Sequence, residues 1–467
     1  MSTRFLAIRE WGARTCLVSM LAGFAIACAG TAQAQQPPSF HCRELSINPD
    51  PDLPKIAPIF RSSTDLSEGE FDCLAWQDLI YLMWPAKAGE RGVPNANAKL
   101  GAGAPTVWET YRTIETVFLP DGVDPGPWQK PQLMATLHAS LAAQVASGTV
   151  RHLTSTSKIS RPVLANILRS GVAIPQTILD EMSQAGGGTL DDLVGNPVYY
   201  EVSMDQVQYD YVRQNQLYNA YQQATFARSN VINLPGGANP NVEGAVEIKA
   251  AWKVLTAAEQ KSGRFHTIQA VLDGSKTPVT VGLVGFHVFI AGGQGAWATF
   301  AQMDNAPVQK PAPSGTFNFF NPKCTVPGTS TPCPYNVEDA DPGQVVQITP
   351  NAALADKLNA YVHYILKQYD PKSQWQYYNL VDVQWPTSPQ ALSNLKAPAK
   401  VPLPGGSPNV STLVNAVEET FLQQPGTSCL GCHQYATTAG VGINQPPYAT
   451  SYSFMFGHAA ALPTLPK

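Results

Sequence analysis

The sequence predicts an α+β fold: an antiparallel β-sheet body with flanking helices and a short helical C-terminal segment. Three observations carry that expectation. Val246, Ile248, Ala250, Trp252 and Val254 alternate with Glu247, Lys249, Ala251 and Lys253, the period of a strand with one covered face. Two longer apolar runs, Phe265 to Leu272 and Val279 to Ile290, are separated by the turn-forming Asp273-Gly274-Ser275 and read as a hairpin. The second run is apolar on both faces, which places it in the middle of a sheet covered on each side. Helical spacing prevails toward both ends of the sequence, and 36 Gly with 40 Pro argue against a long helical bundle.

The chain opens on a stretch with Arg4, Arg9 and Arg14 against Glu10, then an apolar run from Thr15 to Gly30, then Ala32-Gln33-Ala34. This order is that of a cleaved export signal over 1–34. Lipoprotein processing at Cys28 is the lesser alternative, because Ala25-Ile26-Ala27 lacks the leading Leu. Residues 35–240 read as a mainly helical N-terminal region. After a polar, Pro-rich arm, Leu66 to Met83 spaces Trp76, Leu79, Ile80 and Met83 along one face, and Trp84-Pro85 stops the helix. Lys87 to Pro105 reads as loop, and Trp108 to Phe118 as a short helix. Helices broken by Pro162, Pro175 and a glycine run fill Lys130 to Gly188, where His138 and His152 read as surface histidines. A tyrosine-rich helix is expected over Asp205 to Ala224.

Residues 241–400 form the expected β-rich body. Further strands are predicted over Trp297 to Met303, Thr316 to Phe320 and Trp375 to Trp385. Asn351 to Gln368 is an amphipathic helix with Leu354, Leu358, Tyr361 and Ile365 on its core face. In 401–467 a helix is expected over Ser411 to Phe421. No run after the signal is long and apolar enough to cross a bilayer as a helix. Removing the signal takes away three Arg and one Glu, so the formal net charge goes from −4 to −6. A mildly acidic chain of this kind excludes nucleic acid and anionic membrane surfaces as main partners.

The chemistry lies in 401–467, at Cys429-Leu430-Gly431-Cys432-His433. A c-type haem needs two thiols to add across its vinyl groups and an imidazole beside the second thiol to reach the iron, and this spacing supplies all three. The bland readings are a redox Cys-x-x-Cys or half of a zinc site; no second Cys-x-x-Cys or His-x-x-x-His accompanies it. One covalent haem c, held by Cys429 and Cys432 with His433 as proximal iron ligand, is therefore the expected cofactor.

The remaining cysteines fit an oxidising compartment. Outside the signal and the motif stand Cys42, Cys73, Cys324 and Cys333, which allow three pairings. Cys324 and Cys333 enclose a Pro-, Gly- and Thr-rich loop suited to a local staple, which leaves Cys42 to tether the N-terminal arm to Cys73.

For the iron position opposite His433 three residues compete. Met455 follows the motif closely and His458 lies three residues further on. His287 falls inside the apolar run Val279 to Ile290, on the face with Leu283 and Phe289, where a histidine requires a polar partner. An open sixth position is the remaining option.

The motif resembles that of bacterial c-type cytochromes, which implies attachment of the haem outside the cytoplasmic membrane and hence a periplasmic location. Trp76 to Ala86, Gly282 to Val288, Trp297 to Pro307 and the motif itself are also similar to large exported bacterial proteins of the cytochrome c family with a single C-terminal motif. That likeness implies a haem unit that includes the β body and carries over no catalytic residue. Only Gln434 to Lys467 follow the motif, too little chain for a small cytochrome c domain, so the haem is expected between the sheet and the C-terminal segment. The first functional class is electron transfer to or from a redox partner protein. The alternatives are a peroxidase- or oxygenase-like haem enzyme with an open iron position, and a haem-based sensor. No Gly-x-Ser-x-Gly, His-Glu-x-x-His or phosphate-binding glycine loop offers another enzyme template. Oligomeric state leaves no mark in the sequence.

Overall fold

The computed structural model describes residues 38–42, 45–47, 67–103, 105–130, 144, 150–153, 190–236, 244–272, 275–291, 295–308, 315–323, 336–338, 341–347, 350–387, 399–404, 406–420, 423–441 and 447–460. All of them belong to one compact unit, 38–467. The segment 1–34 expected to be an export signal, most of the stretch from Lys130 to Gly188, and Cys324 with Cys333 lie outside the described residues.

The core element is the strand expected from the long apolar run. β1 (Arg112–Thr113), β2 (Arg151–Leu153), β3 (Tyr199–Met204), β4 (Val246–Val254), β5 (Thr267–Leu272), β6 (Val279–Ile290) and β7 (Ala296–Gln302) join one sheet with a later strand, Tyr378–Gln384. β4 runs antiparallel along one edge of β6. The other edge is shared: β5 pairs with 279–282 and β7 with 285–290. β3 and β1 extend the sheet beyond β4, and the Tyr378–Gln384 strand extends it beyond β7. β2 lies parallel to β5, so the sheet is mixed and not purely antiparallel. That strand arrives from the N-terminal half of the chain, with no hairpin to impose antiparallel pairing. β1, β2 and β3 come from 35–240, so that region adds three short strands to the sheet beside its helices. A separate small hairpin pairs β8 (Asn336–Glu338) with β9 (Asp341–Gly343); the Tyr378–Gln384 strand is β10.

The helices follow local rules. α1 (Glu68–Leu82) starts at a capping box in which Glu70 accepts from Ser67 N at 2.9 Å. Trp108–Thr110 is a single 3₁₀ turn, followed by β1 and the short α2 (Ile114–Val117), so the one helix expected over Trp108 to Phe118 is divided. The tyrosine-rich helix is likewise two. α3 (Gln206–Gln214) is capped by Asp205, and α4 (Ala220–Ala227) restarts where Asn219 accepts from the N–H groups of Tyr221 and Gln222. α5 (Ala257–Ser262) is short, opened by a Thr256 capping box and closed by Gly263 in the left-handed region at φ 67°.

α6 (Ala353–Tyr369) has its buried face rotated by about a residue from the expected one: Ala355, Leu358, Asn359, Val362 and Leu366 are buried. A polar residue in the stripe explains the offset. Asn359 Oδ1 accepts from Trp76 Nε1 and from Leu380 N, each at 2.9 Å, and its Nδ2 donates to Leu380 O at 2.9 Å. One side chain thus joins α1, α6 and β10 through three hydrogen bonds.

Helices cover one sheet face, where Trp76 meets Phe300 edge-on at 5.3 Å and Trp108 packs on Phe286 at 5.1 Å. The other face receives 411–420. Asn415 Nδ2 donates to Thr299 Oγ1 at 3.1 Å and to Phe300 O at 2.9 Å. These residues form turns, not the expected helix, because Asn415 spends its side chain on β7 and accepts from Val417 N. Gly285 allows that approach: a Cβ there would lie 2.7 Å from Val417 Cγ2 and 3.1 Å from Glu418 Cγ. The segment 316–320 is not a strand either; Asn318 N and Phe319 N bond to the Asp304 and Asn305 carbonyls of a tight turn.

Cys42 and Cys73 meet in a disulfide with Cα atoms 5.7 Å apart, tying the arm to α1.

Candidate functional site

Cys429–His433 forms a single helical turn, α7, against the sheet. Ser428 caps it, its Oγ accepting from Gly431 N at 3.0 Å. The turn is tethered to the sheet by Leu430 N, which donates to Gln384 Oε1 of β10 at 2.8 Å. Helical spacing of three sets both half-buried cysteines on neighbouring positions of one side, and neither is in a disulfide. Burial, with Glu419 adding to it, pushes the Cys429 thiol far above its ordinary range. A redox Cys-x-x-Cys works through a thiol with a lowered pKa, so this environment is the opposite of what that reading requires. Among the described residues no three His, Cys, Asp or Glu side chains gather as a metal-ion cage, so the zinc half-site finds no completing donors there.

His433 is the most constrained residue of the site. Its Nδ1 is 2.6 Å from the Tyr452 carbonyl, which makes Nδ1 the protonated nitrogen and leaves the Nε2 lone pair available. Burial lowers its pKa to about 4, against the opposing effect of the Tyr452 bond, so the ring is neutral at neutral pH. Aromatic rings surround it: Phe454 at 4.8 Å, Trp297 at 5.6 Å and Phe289 at 6.4 Å between centroids. Two come from β6 and β7, so the sheet supplies one wall and the tail another. The Tyr452 carbonyl is aimed by an unusual backbone, with Ser451 and Tyr452 in positive φ at 39° and 66°. Such conformations cost on the order of 1–3 kcal/mol each and persist where surroundings hold them. Here Tyr452 Oη donates to Pro404 O at 3.1 Å and Ser451 Oγ accepts from Leu234 N at 3.2 Å.

His287 acts electrostatically on His433, and Met455 belongs to the turn whose Phe454 packs on the His433 ring. His287 stands on β6 between Lys249 of β4 and Thr299 of β7. Its Nε2 has no hydrogen-bond partner and lies 3.6 Å from Glu419 Oε2, beyond hydrogen-bond reach. The expected face is corrected in one respect. From Ala251 to Trp252 the register on β6 moves two residues, from Gly285 to Leu283, so a bulge at Val284 puts Leu283 on the helix-covered face while His287 and Phe289 face the C-terminal segment. Met455 is buried in the 3₁₀ turn Phe454–His458, and its sulfur already accepts from Gln208 Nε2 at 3.6 Å. Gln208 also donates to Glu247 at 2.5 Å, a carboxyl that burial raises to about 7. His458 closes the same turn, and burial lowers it to about 4.

The motif located Cys429, Cys432 and His433. Sequence reasoning missed Tyr452, whose contact is a backbone carbonyl that no residue type encodes, and the pair of half-buried Lys249 with buried Glu418 at 2.9 Å. Phe289 and Trp297 were legible only as strand residues; their register partnership across β6 and β7 makes them a common wall.

No family model, curated protein or solved structure matches the chain.

Proposed function

We propose that the chain is a periplasmic monohaem protein of the c-type cytochrome class that passes electrons to or from a redox partner protein. The observation that carries the reading is the state of His433: neutral, its Nδ1 bonded to Tyr452 O and its Nε2 lone pair unspent, within aromatic rings and on the same turn as two thiols outside any disulfide. This donor set fits a c-type haem, with Cys429 and Cys432 holding the ring and His433 ligating iron. A haem bound there supplies a one-electron redox centre. The protein's part is to exclude water with Phe289, Trp297 and Phe454 and to fix the imidazole through the Tyr452 carbonyl. The periplasmic location rests on the export signal in the sequence.

A second reading, a haem enzyme, is favoured by one observation: His287 Nε2 makes no hydrogen bond and lies 3.6 Å from Glu419 Oε2, close to the Lys249–Glu418 pair. The two readings part at the sixth iron position. Protein made in a host with haem-attachment machinery is reduced and exposed to carbon monoxide. Resistance fits an electron carrier with a protein sixth ligand, and loss of that ligand in His287→Ala or Met455→Ala should give a high-spin spectrum and carbon monoxide binding. Rapid binding by the unaltered protein would overturn the electron-carrier reading in favour of the enzyme.

A further inference from the structure

On the helix-covered side of the sheet, Glu109 and His266 form a buried pair. Glu109 Oε1 lies 2.7 Å from His266 Nε2, and Glu109 Oε2 accepts from Thr106 N at 2.6 Å. The His266 backbone is fixed by Tyr378 Oη, which accepts from His266 N and donates to Leu283 O, each at 2.9 Å. Its imidazole lies between two indoles, Trp375 stacked at 4.9 Å and Trp252 tilted at 6.1 Å.

Four polar atoms on residues linked to this pair have no hydrogen-bond partner: Nε1 of the two indoles that flank His266, Trp252 and Trp375, Oγ1 of Thr106, whose N–H bonds Glu109, and Oγ of Ser373, two residues before Trp375 in the chain. None of the four residues is more than 4% exposed. An unsatisfied buried donor is costly, so native interiors seldom leave several on neighbouring residues without something to accept from them. The charges nearby are already matched. Glu109 is held below its ordinary range by His266 in spite of burial, and Arg151 pairs with Glu201 while donating to the Glu109 carbonyl. An anion would therefore meet Glu109 with no spare cation to offset it. A cation would meet indole N–H groups, which only donate.

We infer that the Glu109–His266 pair, Trp252, Trp375 and Ser373 form an interior binding site for a small uncharged hydrogen-bond acceptor. The occupant comes from one of two sources, ordered water or a small carbonyl compound such as an amide. No residue of the site takes part in the proposed haem attachment, so the two inferences stand or fall separately.

The test uses the whole chain labelled with ¹⁵N at tryptophan, the indole signals of Trp252 and Trp375 being assigned with Trp252→Phe and Trp375→Phe. Magnetisation transfer from long-lived bound water to these two indole protons identifies water as the occupant. Acetamide, titrated with acetate and methylammonium as charged controls, identifies a carbonyl site by a saturable shift of the same two signals. A ligand this small binds at best in about the millimolar range. Ser373→Ala, a small change that leaves the tryptophans in place, should weaken the acetamide effect several-fold or shorten the water residence. Absence of both water transfer and saturable shift overturns the inference, as does tighter binding of acetate or methylammonium than of acetamide.

Discussion

Replacing Asp72 by Asn gives a signature in the pH dependence of stability. Asp72 is fully buried on α1, and neither carboxyl oxygen has a hydrogen-bond partner. Burial first, then the charges of Asp382 and Glu68, raise its pKa from 3.8 to about 8. A carboxyl raised in this way keeps its proton in the folded state after the unfolded chain has released it. Its contribution is therefore most favourable below the unfolded value near 4 and is lost as pH rises through the folded value. Between pH 5 and 8 the slope is about 1.4 kcal/mol per pH unit for one proton, so the span removes at most about 4 kcal/mol, less where relaxation hydrates the group. Asp382 and Glu247, raised to about 6 and about 7, add slopes of the same sign. They are present in both proteins, so the difference between wild type and Asp72→Asn isolates Asp72. Urea unfolding at pH 5, 6, 7 and 8 should show wild type losing roughly 2–4 kcal/mol more than the variant across this range. Equal slopes for the two proteins would refute the reasoning, because an Asp72 that does not hold its proton has no titration to remove.

Asn359→Ala leaves Trp76 Nε1 and both Leu380 backbone groups without their partner, and about 2–4 kcal/mol of stability should be lost in denaturant unfolding, with a smaller loss indicating that water replaces the amide. Gly285→Ala drives a methyl into Val417 and Glu418; a loss of about 1–3 kcal/mol is expected, measured by the same unfolding and accompanied by altered protease sensitivity in 411–420.

The strands at the centre of the fold were legible in position, but the single covered face expected of β4 is not what the structure shows, since Glu247, Ala251 and Lys253 are buried as well. β4 and β6 occupy the residues that alternation and apolar run mark out. What was not legible came from polar side chains acting at a distance. Asn359 turns the α6 face and Asn415 trades a helix for bonds to β7. None of these partners is within reach of a sequence window. The bulge at Val284 is of the same kind, since it follows from pairing between β4 and β6 and reverses the face of Leu283. In the site, residue types and spacing located the thiols and the imidazole, whereas the carbonyl that fixes the imidazole belongs to Tyr452, whose side chain is engaged with Pro404.

The central claim is covalent attachment at Cys429 and Cys432, and mass determination of the denatured protein tests it most directly. Protein recovered from the periplasm of a host with haem-attachment machinery should carry the polypeptide mass plus one haem, with the added mass on a peptide containing Cys429–His433. Cys429→Ser and Cys432→Ser should each leave a single thioether or none. An unmodified chain from such a host would contradict the claim.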